Sequence, residues 1–263
     1  MSVRLFAIVG LVGGLMLAGR GLAGAEETTA PPPGAALAWR LDTPVGRVVA
    51  ERPATARIFE LVGIDYCCGG ARTLAEAAAA SSLDPARLLA ALEVVGRDPT
   101  RHEDRDWTRA PVGAVIDHVV ATHHAFLRRE LPRIEQLAQR VVRAHGERHP
   151  ELAAVQATFQ GLAKDLITHI RLEEETVFPR LRRRAAAGEA ASADEEEVVL
   201  REQHDAAGAA LVKLRTLTRG YEVPADACPS YRELLVGLEA LEQDLHRHVH
   251  LENNVLFGTA RSR

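Results

Sequence analysis

Hydrophobic residues recur every three or four positions along most of this chain, which is the spacing of amphipathic helices. The pattern predicts long helices near residues 111–143, 150–184, 194–219 and 229–257. Connections containing Gly, Pro or polar residues separate them, and no segment shows the alternation typical of a strand. We therefore predict an all-α fold in which residues 108–263 form an antiparallel four-helix bundle.

A smaller helical domain is predicted ahead of the bundle, over residues 41–100. Thr43 precedes a proline and is expected to start a helix that runs to Gly63. Two shorter helices are expected to begin at Thr73 and at Asp84, because both residue types cap helix N-termini. The polar segment that follows predicts a boundary between this domain and the bundle.

The N-terminal segment is set apart from both predicted domains. Residues 1–25 have the pattern of a signal peptide, with Arg4 before an apolar stretch and Ala23-Gly24-Ala25 as a cleavage site. An uncleaved anchor and a start codon placed too far upstream are alternative interpretations. Residues 26–40, with three consecutive prolines, are predicted to be a solvated linker.

Composition adds one chemical clue and excludes several classes of protein. The 32 Lys and Arg against 36 Asp and Glu give a net charge of -4, which argues against a nucleic-acid binder. Three cysteines are too few for a disulfide scaffold. Aromatic residues make up only 4% of the chain, whereas histidines number 11. This combination indicates a metal binder.

Each of the four long helices carries a histidine in its hydrophobic stripe. On two of them a glutamate follows four residues later, so that both side chains lie on one face. The six residues are His124, His169, Glu173, His204, His248 and Glu252. Because a buried carboxylate without a partner costs several kcal/mol or stays protonated, this set predicts a metal site in the bundle core.

Six donors suit two metal ions, each held by two imidazoles, with Glu173 and Glu252 as bridges. A nitrogen and oxygen donor set without thiolate fits iron or manganese, and zinc is an alternative. With three or four protein donors per ion, a position stays open for a diatomic ligand or for release of the metal.

Other histidines are predicted to lie outside the donor set. His123, His246 and His250 point away from the stripes of their helices, toward the surface or the surroundings of the site. His118 is a candidate for supporting a ligand through a hydrogen bond. His145 lies at a helix end, where a capping role and a role near the site both stay open.

The adjacent cysteines Cys67 and Cys68, followed by two glycines, are the second unusual feature. Adjacent cysteines pair only through a strained ring, so no structural disulfide is expected between them. Two interpretations stay open: an accessible thiol pair for redox exchange or soft-metal capture, and two small buried residues at a turn. Cys228 is predicted to be a lone structural thiol.

Taken together, these features resemble the iron-sulfur cluster repair di-iron (RIC) family over about residues 41–263. The segments that carry the resemblance are 63–70 (GIDYCCGG), 116–124, 169–179, 202–205 and 248–257. The resemblance implies a small N-terminal domain with a cysteine motif, followed by a hemerythrin-like bundle. It also implies that His145 matches a family histidine near the site.

For function, the resemblance implies a centre of two non-haem irons, bridged by the two carboxylates and an oxo or hydroxo group. The six stripe residues fall on the family's ligand positions. The implied role is repair of iron-sulfur clusters damaged by nitrosative or oxidative stress, by donation of iron. Damaged iron-sulfur proteins would be partners, nitric oxide or oxygen would be small ligands, and a homodimer stays open. The implied compartment is the cytoplasm, with export as the alternative if residues 1–25 are a genuine signal.

Two other functions stay open. One is an oxygen or nitric oxide sensor or carrier of plain hemerythrin type, which would not need the cysteine domain. The other is a turnover enzyme such as a nitric oxide reductase. We favour an iron-donating repair protein over an enzyme and assign no catalytic residue beyond a thiol function for Cys67 and Cys68.

Overall fold

The computed structural model describes residues 39–97, 105–188 and 195–258. The predicted leader and residues 26–38 of the predicted linker lie outside the described residues. The described ranges belong to one compact unit. Within them, no helix is both long enough and apolar enough to cross a membrane.

Four short helices build the N-terminal part. They are α1 (Val45–Glu51), α2 (Ala56–Val62), α3 (Leu74–Ala80) and α4 (Pro85–Gly96). The prediction of one continuous helix from Thr43 to Gly63 was wrong in its middle, where a 3-10 turn over Pro53–Thr55 separates α1 from α2. Pro53 has no N–H to donate, so an α-helix cannot run through it without losing a hydrogen bond.

Caps explain why α3 and α4 begin where the sequence predicts. The Thr73 hydroxyl accepts from the backbone N–H of Glu76, and the Glu76 carboxylate accepts from the backbone N–H of Thr73. The Asp84 carboxylate accepts from the first turn of α4. The prediction of a solvated linker over residues 26–40 was wrong at Trp39. The ring of Trp39 is buried in the core of the N-terminal part, and its indole N–H donates to Glu51 at 2.7 Å.

The predicted bundle consists of four helical arms. The helices are α5 (Val112–His118), α6 (Ala125–His145), α7 (Glu151–Leu172), α8 (Phe178–Ala186), α9 (Glu195–Leu217) and α10 (Pro229–His250). The four arms are α5 with α6, α7 with α8, α9, and α10. Helix α6 packs against α7 and α10, and α7 packs against α9. The all-α, four-helix prediction is confirmed for the described part of the chain.

Three of the arms contain a π-helical turn that the hydrophobic pattern did not predict. The turns span Val119–His124, Glu173–Val177 and Leu251–Leu256. They join α5 to α6, join α7 to α8 and extend α10. Each turn contains a residue of the predicted donor set. Because π-helical turns are rare and are frequent at functional sites, their positions support the predicted location of the site.

The far end of α6 carries His145, for which a role near the site was left open. Helix α6 has 21 residues and is therefore about 30 Å long, which separates His145 from His124. The rings of His145 and His149 instead pack on Tyr231, with centroid distances of 5.3 and 5.5 Å. This placement corrects the near-site interpretation of His145, because its ring packs at the opposite end of the bundle.

His149 links two connections at this far end of the bundle. Its Nδ1 lies 3.0 Å from Glu151 and its Nε2 lies 3.0 Å from Asp226. Hydrogen bonds to Glu151 and then to Asp226 raise the pKa of His149 above its usual 6.5. A group whose folded-state pKa is raised stabilises the fold below its unfolded pKa, and this contribution is lost as pH rises through the folded pKa.

We therefore expect His149→Gln to lower the free energy of unfolding more at low pH than at high pH. The loss should stay below about 1 kcal/mol near pH 5.5, as for an exposed ion pair, and should be smaller at pH 8.5, because the contribution of the protonated imidazole is lost as pH rises. Urea unfolding at both pH values measures it. Adding Asp226→Asn to His149→Gln should remove little more, and equal losses at both pH values would contradict the prediction.

Candidate metal centre

The six predicted donor residues meet in the bundle core, and none of them is more than 4% exposed. They form two groups: one contains His124 and His248, the other contains His169 and His204, and Glu173 and Glu252 belong to both. Within each group the ligand atoms lie within 4.8 Å of one another. The structure therefore brings together all six residues, in an arrangement in which both carboxylates are shared.

In the first group the imidazoles of His124 and His248 face each other. Their Nε2 atoms are 3.1 Å apart. Glu252 Oε1 lies 2.8 Å from the Nε2 of His248, and Glu173 Oε2 lies 3.3 Å from the Nε2 of His124. Two ring nitrogens and two carboxylate oxygens thus converge on one point.

The second group repeats this arrangement around His169 and His204. Their Nε2 atoms are also 3.1 Å apart. Glu252 reaches this group through its other oxygen, with Oε2 3.1 Å from His204, and Glu173 Oε2 is 3.4 Å from His169. Because Glu252 presents one oxygen to each group, it has the geometry of a bridging carboxylate.

The carboxylate oxygens show that this donor set fits bound cations. Both oxygens of Glu173 and both oxygens of Glu252 are buried without a partner in hydrogen-bond geometry among the described residues, although imidazole nitrogens lie 2.8–3.4 Å from three of them. Buried charges in proteins are normally paired or coordinate a metal. Two cations between the facing imidazoles would satisfy these oxygens and would relieve the repulsion between ring nitrogens.

Electrostatics of the cluster lead to the same conclusion. Burial, followed by the negative charge of Glu252, raises the pKa of Glu173 well above its usual range. Burial acts in the same direction on Glu252, but His248 and His204 outweigh it and hold its pKa well below the usual range. Burial also lowers the pKa of His169 to about 4. Without a cation, therefore, one carboxyl of the pair keeps a proton and His169 stays a neutral donor.

Acceptor side chains orient three of the four imidazoles from behind. The Nδ1 contacts are His124 to Glu174 at 2.6 Å, His169 to Gln203 at 2.7 Å and His204 to Asn253 at 2.9 Å. An imidazole that donates from Nδ1 has its Nε2 lone pair free for a metal. Sequence reasoning did not assign these three acceptors, and the available signal was that each is adjacent in sequence to a donor residue.

The fourth imidazole, His248, is supported by stacking. The ring of His123 lies 5.3 Å away at an interplanar angle of 2°, and the His123 Nδ1 contacts Asp244 at 3.0 Å. His123 was expected to point away from the stripe, but it is buried against a donor. His118 contacts Trp107 and His123 at centroid distances of 4.4 and 5.5 Å, so it lies one layer behind the residues that contact the donors.

The cysteine loop, residues 65–70, is held together by one carboxylate. Asp65 accepts from the backbone N–H groups of Cys67, Cys68 and Gly69 at 2.9, 3.0 and 3.0 Å. The two Sγ atoms are 3.8 Å apart and both thiols are free. A hydrogen bond to Cys68, followed by burial, raises the pKa of the Cys67 thiol well above its usual range. Cys67 is buried and Cys68 is half-buried, so Cys68 is the more accessible thiol.

This loop lies against the last π-helical turn, beside the second donor group. Asn254 donates to the Cys67 carbonyl at 2.9 Å, and Asn253 contacts both that carbonyl and His204. His250, expected to point away from the site, is buried beneath the loop with its Nδ1 3.4 Å from the Tyr66 carbonyl. The sequence placed the cysteines in a separate domain, whereas the structure brings them next to the bundle core.

A cavity of about 440 Å³ lies between α7, α9 and α10. His169, His204 and His248 are among the residues that line it. Small residues of α7 and α9, including Gly161 and Ala207, leave room between the helices. The cavity is large enough for a small ligand to reach the second donor group.

Comparisons with known proteins agree with this arrangement. Residues 41–95 match a domain of unknown function (DUF542), and residues 115–260 match the hemerythrin HHE cation binding domain. The chain is 32% identical over 224 residues to the iron-sulfur cluster repair protein YtfE of Escherichia coli O157:H7, which covers 85% of this chain and 98% of the relative. The YtfE protein of Enterobacter sp. (strain 638) matches with the same identity and coverage.

Proposed function

The chain belongs to the family of iron-sulfur cluster repair proteins with a hemerythrin domain, and from this we propose that it holds two irons and repairs damaged clusters by donating iron. Its targets would be iron-sulfur proteins damaged by nitrosative or oxidative stress. The observation that carries the proposal is the pair of His/Glu groups that share two buried carboxylates. The six residues of these groups are the ligands that we propose.

The donor chemistry supports iron. Imidazoles with carboxylates and no thiolate suit iron and manganese, with zinc as the alternative, and the family of the chain favours iron. Bound iron would supply the metal that a damaged cluster lacks. Glu173 and Glu252 would hold both ions at once. The Nδ1 hydrogen bonds hold three of the imidazole rings in the orientation that directs their Nε2 atoms into the site.

The same residues support release of the metal as well as binding. In the absence of a cation the raised pKa of Glu173 means that its carboxyl keeps a proton. As an ion leaves, uptake of a proton by Glu173 removes the repulsion between its carboxylate and that of Glu252. The chain can therefore lose metal without leaving two buried negative charges side by side.

We assign contact with the client to the cysteine loop. Cys68 is half-exposed and lies beside the second donor group, so its thiol can engage a client protein or a redox partner close to the metal. Clusters and reduced thiols are found together in the cytoplasm, which is where we infer that the protein acts.

Rescue of a damaged enzyme tests the proposal. An enzyme whose cluster has been broken by nitric oxide should regain activity when the iron-loaded protein is added, faster than with an equal amount of ferrous salt. The double variant Cys67→Ser/Cys68→Ser should keep its iron and restore activity at least several-fold more slowly. Cys228→Ser, which changes a thiol outside the loop, is the control and should behave as wild type. Recovery no faster than with ferrous salt would contradict the proposal.

The cavity beside His169 favours a second candidate, binding of nitric oxide or oxygen at the metal centre. Its apolar lining suits a small uncharged ligand, and it reaches three of the four imidazoles. A sensor, a carrier or a nitric oxide reductase would use this route. The two candidates differ in the rescue experiment, because a protein that only binds the gas would not restore cluster activity.

A further inference from the structure

The last π-helical turn contacts both the metal centre and the cysteine loop through three consecutive residues. Glu252 is the carboxylate shared by both donor groups. Asn253 and Asn254 follow it, and each is 4% exposed. Few backbone bonds separate the shared carboxylate from the contacts that hold the loop, so a shift of this turn moves both.

Asn253 makes the direct connection through one carboxamide. Its Oδ1 accepts from the Nδ1 of His204 at 2.9 Å, and its Nδ2 donates to the carbonyl of Cys67 at 3.4 Å. Arg201 also donates to the Oδ1, at 3.5 Å. The amide can satisfy both His204 and Cys67 only in this orientation, with its oxygen toward the imidazole and its nitrogen toward the loop.

The loop fits closely on this turn. Asn254 donates to the carbonyls of Tyr66 and Cys67 at 3.3 and 2.9 Å. Two glycines face its side chain, Gly46 on α1 and Gly70 in the loop, and a Cβ at either position would overlap Asn254. Because the loop and the turn are in such close contact, the position of the loop responds to small changes in the hydrogen bonds that hold it.

The position of the His204 ring determines where Asn253 can lie, because the ring Nδ1 donates to the Asn253 oxygen. A cation held at Nε2 would fix the ring in place between the facing imidazole of His169 and the carboxylate of Glu252. Without a cation, nothing separates the facing Nε2 atoms of His204 and His169, which are 3.1 Å apart, and the ring is no longer held in one position. Any movement of the ring shifts the Asn253 carboxamide and lengthens its contact with the Cys67 carbonyl, which at 3.4 Å is already long.

We propose that Asn253 is a positioning residue that couples metal occupancy at His204 to the seating of the cysteine loop. The exposure and reactivity of Cys68 then report whether the metal centre is filled. Because coupling between two sites is reciprocal in binding free energy, a modification of Cys68 that displaces the loop also lowers the affinity for iron. This inference rests on the proposed metal site but not on cluster repair.

Site-resolved alkylation of the full-length protein tests the coupling. The anaerobic protein, either loaded with ferrous iron or stripped with a chelator, is treated with iodoacetamide, and labelling of Cys68 is followed by peptide mass spectrometry. We expect labelling at least about fivefold slower in the loaded protein, the lower end of typical coupling between sites. Equal rates in the loaded and stripped wild type would overturn the proposal.

A matched pair of variants isolates Asn253. Asn253→Ala and Gln203→Ala each remove a carboxamide acceptor from the Nδ1 of a donor histidine, but only Asn253 also contacts the loop. With iron content verified, the difference in labelling rate should disappear in Asn253→Ala and persist in Gln203→Ala. Persistence in Asn253→Ala would mean that iron shields Cys68 directly, and would overturn the proposal.

Asn253→Asp provides a second, more conservative variant. It keeps an acceptor for His204 and loses the donor to the Cys67 carbonyl, so it should hold iron while losing the labelling difference. The outcome is separable from that of the rescue experiment. Iron binding without a labelling difference defeats the coupling alone, whereas a labelling difference without rescue defeats cluster repair alone.

Discussion

Replacing either shared carboxylate with leucine is expected to remove most of the bound iron. Glu173 and Glu252 each belong to both donor groups, so one substitution removes a donor from each of the two proposed iron sites. We expect Glu173→Leu and Glu252→Leu to fall from about two irons per chain to fewer than about 0.5, because binding free energy at such sites depends on the full ligand set. Metal analysis of protein purified and reloaded under identical conditions measures this.

Glu175→Leu is the matched control for this experiment. Glu175 lies in the same π-helical turn as Glu173 but is exposed, so its substitution should leave the iron content unchanged. Retention of about two irons by both Glu173→Leu and Glu252→Leu would show that the donors have been assigned incorrectly. Loss of iron in all three variants would point to damage of the turn instead.

Removing the metal is expected to cause the largest change in stability. Stripping the ions removes a ligand that binds the folded state only, and such a ligand contributes about 3–4 kcal/mol when the free ion is at about 100 to 1,000 times its dissociation constant. At about 2–4 °C per kcal/mol for a chain of this size, the unfolding midpoint should fall by roughly 10 °C. Differential scanning calorimetry of the loaded and chelator-treated protein measures the shift. An unchanged midpoint would mean that no metal contributes to this core.

Glu173→Leu is expected to change how the stability of the metal-free protein depends on pH. The pKa of Glu173 is raised above its usual 4.5 in the folded protein, so the folded state binds more protons than the unfolded state and loses stability as pH rises above about 4.5. Leucine has no such dependence. Metal-free Glu173→Leu should therefore be more stable than metal-free wild type, by a margin that grows with pH, and a margin that shrinks with pH would contradict the assignment.

The hydrophobic pattern was sufficient to predict the bundle and to select the candidate donors. His169 and Glu173 are four residues apart, and their shared face follows from helix geometry. The π-helical turns were not predictable in the same way. A single inserted residue shifts the stripe by about 100°, and a stripe read at alternating three- and four-residue spacing tolerates such a shift.

The residues that support the site were also beyond prediction. His123 is adjacent to His124 in sequence, which indicated a side chain pointing elsewhere, yet the packing of α10 brings His248 alongside its ring. The near-site interpretation of His145 was wrong in the opposite way, because His145 lies farther from the donors than it implied. The family resemblance matched His145 by residue type and gave no information on its distance from the donors. Helix α6 places His145 at the far end of the bundle.

The sequence alone was enough to predict the helix positions, the all-α class and the inward orientation of the six donors. They could be predicted because spacing along a helix determines the angle of each side chain about its axis. Packing decided which ring nitrogens face each other, which acceptors hold them and that Cys67 lies beside His204 through Asn253. Those distances join residues more than 30 positions apart, so they depend on how helices and loop pack against each other.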